Sequence, residues 1–243
     1  MIADRMFSDR IIDLHVHSAA SGPGLDLPSL LEVADRRGLR IGVSDHVGPE
    51  WPLSTEAKLH EHLDELADYP VLRAVELELG EEVRLSREAF RRLDYVIGGL
   101  HTIKVRGQTL HVADRRPVSL EPEAVVQAMV DRLVEAMEEE PIDVLAHPTV
   151  LPHALRPRAA DLFHDGHLDR IGRAAAETGV ALELSGRLRL PHERAVERWL
   201  AAGARLAIGS GGYSADEIGE LTWPFRLLER FLIDPERLYW GRD

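Results

Sequence analysis

The sequence predicts an α/β protein of a single domain, residues 1–243, built as a closed barrel of seven β/α units. Strand-like runs alternate with helix-like runs seven times, and most of the links between them are short. This alternation is typical of a parallel sheet, and so many units with short links favour a barrel. An open doubly wound sheet is the main alternative, but no glycine fingerprint of a dinucleotide site follows the first strand.

The first half of the chain contains four predicted strands. They cover residues 11–17, 39–43, 71–79 and 95–100, and helices are predicted over residues 28–37 and 55–67. In the first helix Leu30, Leu31 and Ala34 form an apolar stripe, and Gly38 is a natural C-terminal cap. Ser54 or Thr55 can cap the second helix.

The second half begins with residues 102–120, a long segment that we expect to be an irregular functional loop. A strongly periodic helix is predicted over residues 121–139. Strands follow at residues 142–146, 180–184 and 205–208, with helices at residues 168–178 and 192–202 between them. Two helical segments, residues 224–231 and 235–239, are predicted to end the chain.

Composition excludes several classes of function. A formal net charge of −13 argues against nucleic-acid and anionic-membrane partners, although a phosphorylated small molecule remains compatible with it. The chain has no cysteine, so a metal would have to bind to histidine or carboxylate, and a cytoplasmic location is expected. No apolar run approaches the ~18 residues of a membrane span. Residues 1–10 are charged and do not resemble a signal peptide. Oligomeric state is not predictable from these features.

The first strand carries an unusual pair of histidines. In residues 12–17, simple alternation places Ile12, Leu14 and Val16 on one side of the strand. Asp13, His15 and His17 lie on the other side. Two imidazoles at alternate strand positions point toward one place, where they could bind a metal ion. A single His-x-His is weak evidence, because buried histidines often only form hydrogen bonds to the backbone.

Similar residues follow the other predicted strands. Histidine or carboxylate residues occur at or just beyond the ends of five strands: His15 and His17, Asp45 and His46, Glu76 and Glu78, His101, and His147. In a barrel these ends meet at the C-terminal rim, where enzymes of this architecture place their sites. The pattern predicts a site for Zn, Mn or Fe ions bound by nitrogen and oxygen atoms. A carboxylate between two groups of imidazoles could bridge two ions.

At these positions the sequence resembles the polymerase and histidinol phosphatase (PHP) family. The resemblance extends from His15 to Ile218 and implies a distorted seven-stranded β/α barrel with its metal site at the C-terminal rim. It also implies a metal-dependent phosphoesterase that acts on small phosphorylated substrates through a metal-activated water. By position, His15, His17 and Glu76 would hold one ion, Glu76 would bridge to a second ion held by His101 and His147, and His46 would belong to a third.

The sequence departs from the family pattern in two places. Gly211 and Tyr213 stand where the family has a closing aspartate and histidine, and the loop of residues 19–25 lacks the further histidine of the third site. We therefore expect two ions, or one tightly held ion. The ion at His15, His17 and Glu76 should have one ligand fewer than in the family pattern. The alternative is that the family's chemistry has been lost, and that the protein binds a metal ion or a phosphorylated ligand without turnover. A metal-dependent amide or lactone hydrolase is a third hypothesis.

Other residues have predicted supporting roles. Glu78 shares a face with Glu76 and could be the bridge, although the resemblance favours Glu76. Asp13 could accept a hydrogen bond that fixes the tautomer of an imidazole. Asp45 could be a ligand or could cap the following turn, and either Asp45 or His46 could donate a proton to the leaving group.

Further candidates lie near the end of the barrel sequence. Arg187 and Arg189 follow the sixth strand and could bind a substrate phosphate, or could be solvated loop residues. The glycines of residues 209–212 could bind an anion, but a plain turn is favoured. His60 and His62 do not share a helix face, so both are predicted to be solvated.

Overall fold

A computed structural model describes residues 11–81 and 85–242, so the prediction about residues 1–10 lies outside the described residues. The strands are β1 (Ile12–Val16), β2 (Arg40–Val47), β3 (Leu72–Glu78), β4 (Tyr95–Gly99), β5 (Thr102–Val105), β6 (Gln108–His111), β7 (Val144–Leu145), β8 (Ala181–Ser185) and β9 (Leu206–Gly209). The helices are α1 (Leu27–Arg37), α2 (Glu56–Leu66), α3 (Arg87–Arg92), α4 (Pro122–Glu139), α5 (Ala159–Leu162), α6 (Asp165–Thr178), α7 (Glu193–Ala202) and α8 (Thr222–Phe231).

Seven of these strands form one parallel sheet in the order β1-β2-β3-β4-β7-β8-β9. The sheet curls until its last strand lies beside its first. Gly211 N donates to His15 O at 2.7 Å and His17 N donates to Gly212 O at 3.0 Å, so the segment just beyond β9 pairs with the C-terminal end of β1. The predicted seven-stranded β/α barrel is therefore confirmed. Residues 209–213, which we call the closing segment, lie directly against the pair His15 and His17.

Local signals set the helix boundaries. Asp26 caps α1 by accepting a hydrogen bond from Ser29 N, and Gly38 ends it in the left-handed conformation with φ of 65°. Thr55 caps α2 through Lys58 N. These capping hydrogen bonds satisfy amides that have no partner within the helix.

Two apolar cores lie on the two sides of the barrel wall. The smaller core fills the inside with Ile12, Leu14, Ala74, Tyr95, Ile97, Val144, Ala146, Ala181, Ala207 and Tyr239. The larger core packs the outer strand faces against the helices. Tyr95 closes the inside below the rim, since its hydroxyl donates to Leu14 O at 2.5 Å.

Strand β1 departs from the predicted alternation. Ile12 and Leu14 belong to the inner core, but Val16 belongs to the outer one, so the three do not share a side. The pairing of β1 with β2 shifts register between Asp13 and Val16. Such an irregularity changes the direction of the following side chains. It allows His15 to face the inside of the barrel directly after Leu14.

Several further elements, among them the short helix α5, differ from the prediction. Residues 102–111 form the antiparallel hairpin β5–β6 within a segment that was expected to be irregular throughout. The short helix α3 was not predicted, although Ser86 caps it through Ala89 N. The last predicted helix is a single 3-10 turn, Pro235–Arg237. Among the described residues, no helix has the length and apolar character needed to cross a membrane.

Candidate metal centre

The site is organised around the carboxylate of Glu76, which is 1% exposed. Five imidazoles surround it: Oε2 lies 3.1 Å from His15 Nε2, 3.5 Å from His17 Nε2 and 3.3 Å from His46 Nδ1, and Oε1 lies 3.5 Å from both His101 Nε2 and His147 Nε2. All six residues that the sequence indicated as metal ligands are therefore together at the rim. One carboxylate oxygen faces three imidazoles and the other faces two, an arrangement suited to a bridging ligand.

The register of the sheet brings these residues together. His46 lies directly opposite Glu76 in the β2–β3 ladder, and Ile97 lies opposite Glu76 on the other side. Gly99, two residues further along β4, has no side chain to fill the space beside the carboxylate. A Cβ there would overlap Glu76 Oε1 and the ring of His101, so glycine is required by the close approach.

Glu183 is a central residue that the sequence analysis missed. Its Oε1 lies 2.7 Å from His15 Nδ1, and its Oε2 accepts a hydrogen bond from His147 N at 2.6 Å. The first contact fixes the orientation of the His15 ring, so that Nε2 is directed at Glu76. The second supports His147, whose φ of 31° is unusual for a residue other than glycine. An acidic residue between Leu182 and Leu184 in a buried strand was the available signal.

Glu78 supports His101 rather than occupying the centre. Its Oε2 lies 2.6 Å from His101 Nδ1, and its Oε1 accepts hydrogen bonds from the backbone amides of His101 and Thr102. Asp13 behaves differently from the prediction, since in the described part of the chain it contacts no imidazole nitrogen. It accepts hydrogen bonds from the amides of Ser210, Gly219 and His15, and so joins the closing segment to β1.

Asp45 is fully occupied by hydrogen-bond donors. Ser18 donates from its amide at 2.8 Å and its hydroxyl at 2.6 Å, and Ser21 donates from its hydroxyl at 2.6 Å. His62 Nε2 lies 3.0 Å from Oδ2, so the prediction that His62 is solvated is wrong. Asp45 is completely buried, and these contacts hold its pKa below the usual value although burial opposes this. Asp45 therefore does not fit the predicted roles of metal ligand or proton donor, because both of its carboxylate oxygens already accept hydrogen bonds.

Tyr213 takes the place of the closing histidine. Its ring stacks on that of His17, with centroids 4.2 Å apart, and its hydroxyl lies 2.9 Å from His46 Nε2. The ring of Trp51 stacks on that of His46, with centroids 3.8 Å apart. Two aromatic side chains thus line the mouth of the site. Gly211, in the place of the closing aspartate, uses its amide to close the barrel.

The two arginines of the rim differ in position. Arg187 Nε donates to Gly211 O at 2.7 Å, and its guanidinium carbon lies 5.7 Å from the centroid of the Tyr213 ring. Its terminal nitrogens have no hydrogen-bond partner among the described residues. Arg189 is exposed, with no side-chain contact within the described part of the chain to tie it to the site. The amides of Ser210, Gly211 and Gly212 all donate within the protein, as expected for a plain turn.

The charges of the cluster are unevenly distributed. Burial opposes ionisation of Glu76, but the surrounding imidazoles, His46 foremost, hold the pKa of this carboxyl well below its usual range. Burial likewise opposes a charge on His15, yet the carboxylates of Glu183 and Glu76 raise its pKa well above the usual value. Burial and the positive charge of His15 lower the pKa of His17, and burial lowers that of His46 to about 4. His17 and His46 are therefore neutral at pH 7, as metal ligands must be.

The donor atoms fit divalent cations. Glu76 Oε1 and His147 Nδ1 are buried without a hydrogen-bond partner among the residues described, and the Nε2 atoms of His15 and His17 lie only 3.1 Å apart. Adjacent ligands of a tetrahedral zinc ion lie ~3.3 Å apart, given bonds of ~2.0–2.1 Å. The separations of 3.1–3.5 Å around Glu76 match this value. Two groups share the carboxylate: His15, His17 and Glu76, and His46, Glu76 and His101.

Comparison with known proteins gives a consistent result. No family model matches the chain. A probable phosphatase from Caldanaerobacter subterraneus is 24% identical over 93% of this chain and 85% of its own length. A probable phosphatase from Syntrophotalea carbinolica is 29% identical over 72% of this chain and 65% of its own. The probable phosphatase YcdX of Shigella dysenteriae is 24% identical over 93% and 88%.

Solved structures support the same fold. Histidinol phosphate phosphatase from Lactococcus lactis, crystallised with zinc, L-histidinol and phosphate, superposes with a TM-score of 0.66. The two chains are 17% identical, over 91% of this chain and 93% of the other. These comparisons confirm the resemblance to the polymerase and histidinol phosphatase family that the histidine and carboxylate motifs indicate.

Proposed function

We propose that this chain is a metal-dependent phosphoesterase that hydrolyses a small phosphorylated substrate at the Glu76 cluster. One observation carries the proposal: five imidazoles from the ends of four strands, β1, β2, β4 and β7, surround a single buried carboxylate within 3.5 Å. The relatives named probable phosphatases support the reaction class. The zinc, histidinol and phosphate bound by the Lactococcus protein support a cation site and a small phosphate ester as substrate.

The residues divide into ligands and supports. His15 and His17 would hold one divalent ion, His46 and His101 would hold another, and Glu76 would bridge the two. His147, 3.5 Å from Glu76 Oε1, would complete one of these sets. When bound, such ions polarise a phosphoryl oxygen and lower the pKa of a water molecule, which supplies the nucleophile.

Arg187 is the proposed phosphate-binding residue. Its Nε is fixed on Gly211 O, which leaves the terminal guanidinium nitrogens for the two-point contact that guanidinium makes with phosphate. Arg189 lacks such an anchor, and we assign it no direct role. The acidic overall charge is no obstacle, because the cations and this arginine set the local field.

Tyr213 is the proposed hydrogen-bond donor to the substrate. If His46 binds an ion through Nδ1, which faces Glu76, its Nε2 carries the proton and donates to the Tyr213 oxygen at 2.9 Å. The O–H of Tyr213 is then free to donate to a substrate oxygen at the mouth of the site. This assignment replaces the acid roles predicted for Asp45 and His46, because Asp45 is saturated and His46 is neutral at pH 7.

A substrate panel tests the proposal. Protein loaded with Mn²⁺ or Zn²⁺ should hydrolyse at least one phosphomonoester, nucleotide or phosphodiester faster than carboxylic ester, lactone and amide substrates. His101→Ala should abolish that activity, whereas His153→Ala, at an exposed loop position, should not. Preference for carbon esters would favour the amide or lactone hydrolase. Metal binding with no turnover of any substrate would favour a binding protein.

A further inference from the structure

A second cluster of metal-binding side chains lies outside the barrel mouth. Glu123 is in the first turn of α4, and His164 and His167 are at the N-terminus of α6. Glu123 Oε1 lies 3.2 Å from His164 Nε2 and 3.6 Å from His167 Nε2. These three ligand atoms all lie within 4.8 Å of one another. Both helices lead into strands of the barrel, so their N-termini lie at the rim end of the outer layer.

The surroundings of His167 indicate a missing positive charge. This side chain is 2% exposed, with Nδ1 3.3 Å from Leu162 O and Nε2 3.3 Å from Gln127 Oε1. A neutral imidazole carries one proton. If Nδ1 donates to the Leu162 carbonyl, Nε2 presents a lone pair to the oxygens of Gln127 and Glu123. Oxygen and nitrogen lone pairs then face one another without a donor, which a cation would correct.

The distances suit a small tetrahedral ion. Neighbouring ligands of Zn²⁺ lie ~3.3 Å apart. The three separations at this cluster are 3.2, 3.6 and 3.3 Å, the last from His167 Nε2 to Gln127 Oε1. The His164 ring is stacked on that of His167 at 3.5 Å, and its side chain is 54% exposed, so it can turn toward an ion without disturbing the core.

We propose that Glu123, His164 and His167 form a separate binding site for one divalent transition-metal ion of the Zn²⁺ type, with Gln127 Oε1 as a fourth ligand. An ion here joins the first turn of α4 to the first turn of α6. It thereby anchors the C-terminal end of the segment of residues 147–164, whose first residue, His147, belongs to the Glu76 cluster. We assign the site a structural role, because its ligands connect the N-terminal ends of two helices.

Metal content and thermal stability test this site. Chelator-treated protein is mixed with excess Zn²⁺, passed through gel filtration, and analysed for zinc per chain. Glu123→Gln and His164→Ala, both at exposed positions where folding is not at risk, should each hold one ion fewer than the wild type. Both should also lose part of the zinc-dependent rise in melting temperature. The control His153→Ala should retain both properties.

A second background separates this site from the barrel mouth. In a His15→Ala/His101→Ala variant, one zinc ion should still bind, and adding Glu123→Gln should remove it. The proposal is overturned if Glu123→Gln and His164→Ala retain the wild-type zinc content. It is also overturned if the His15→Ala/His101→Ala variant binds no zinc while remaining folded by circular dichroism.

Discussion

Replacing Glu183 with glutamine tests how far the proposed metal ligands His15 and His147 depend on this carboxylate. The two side chains have nearly the same shape, so the buried site is not opened. Glu183 faces two donors, His15 Nδ1 at 2.7 Å and His147 N at 2.6 Å. A glutamine has only one oxygen, so its amino group must confront one of these donors. The negative charge that orients His15 is lost at the same time.

The expected cost follows from these contacts. Loss of one hydrogen bond to a charged group costs ~1.5–3 kcal/mol. Loss of a carboxylate that orients a metal-binding histidine lowers metal affinity ~10–100-fold, or ~1.4–2.8 kcal/mol. The two estimates agree, so Glu183→Gln should weaken binding of the ion at His15 by about one to two orders of magnitude.

Competition with a zinc-chelating indicator measures this affinity directly. Glu177→Gln, an exposed glutamate near the end of α6, is a matched control and should bind zinc as the wild type does. At saturating metal, the Glu183→Gln variant should recover a large part of its activity, because its ligands are all present. Wild-type zinc affinity in the variant would refute the role assigned to Glu183.

Three further predictions concern the cluster itself. Gly99→Ala should lower kcat/KM more than tenfold and cost ~1–3 kcal/mol in a denaturant titration, because the added methyl overlaps Glu76 Oε1. Tyr213→Phe removes the contact with His46 but keeps the ring, so kcat should fall about 10²-fold at unchanged zinc content. The raised pKa of His15 means that it is protonated at pH 7, so zinc binding should release about one proton from it, detectable by calorimetry in buffers of different ionisation enthalpy. This release should diminish as the pH rises through that pKa.

Each of these predictions has a contradicting result. Full activity of Gly99→Ala would mean that the Glu76 carboxylate is not held where the structure places it. A Tyr213→Phe variant with normal kcat would leave the hydroxyl without a role in turnover. Zinc binding with the same heat in every buffer would mean that no imidazole releases a proton.

The sequence is sufficient to predict the barrel and the clustering of histidines and carboxylates at its rim, because both depend on where the strands end. Strands end at regular intervals, and residues at those ends meet whatever the details of packing. Glu76 and Glu78 show the limit of this reasoning. A two-residue period puts both on one face, but they differ in height along β3 by ~7 Å. Only the structure shows that Glu76 meets the imidazoles while Glu78 supports His101.

Long-range pairs were harder to predict. Glu183 and His15 are 168 positions apart, and no local pattern connects them. His62 is similar: helical spacing correctly separates it from His60, but it does not show that His62 is the one turned inward toward Asp45. The reversal along β1 arises from a register shift, which requires knowledge of its partner strand β2.

In the proposed mechanism Glu76 bridges two divalent ions held by the surrounding histidines. X-ray diffraction from zinc-loaded crystals, measured on both sides of the zinc absorption edge, tests it most directly. Two anomalous peaks are expected about 3.5–4 Å apart, one near His15 and His17 and one near His46 and His101, with Glu76 between them. If zinc-loaded protein showed no anomalous density beside Glu76, the bridging role of this carboxylate would be contradicted.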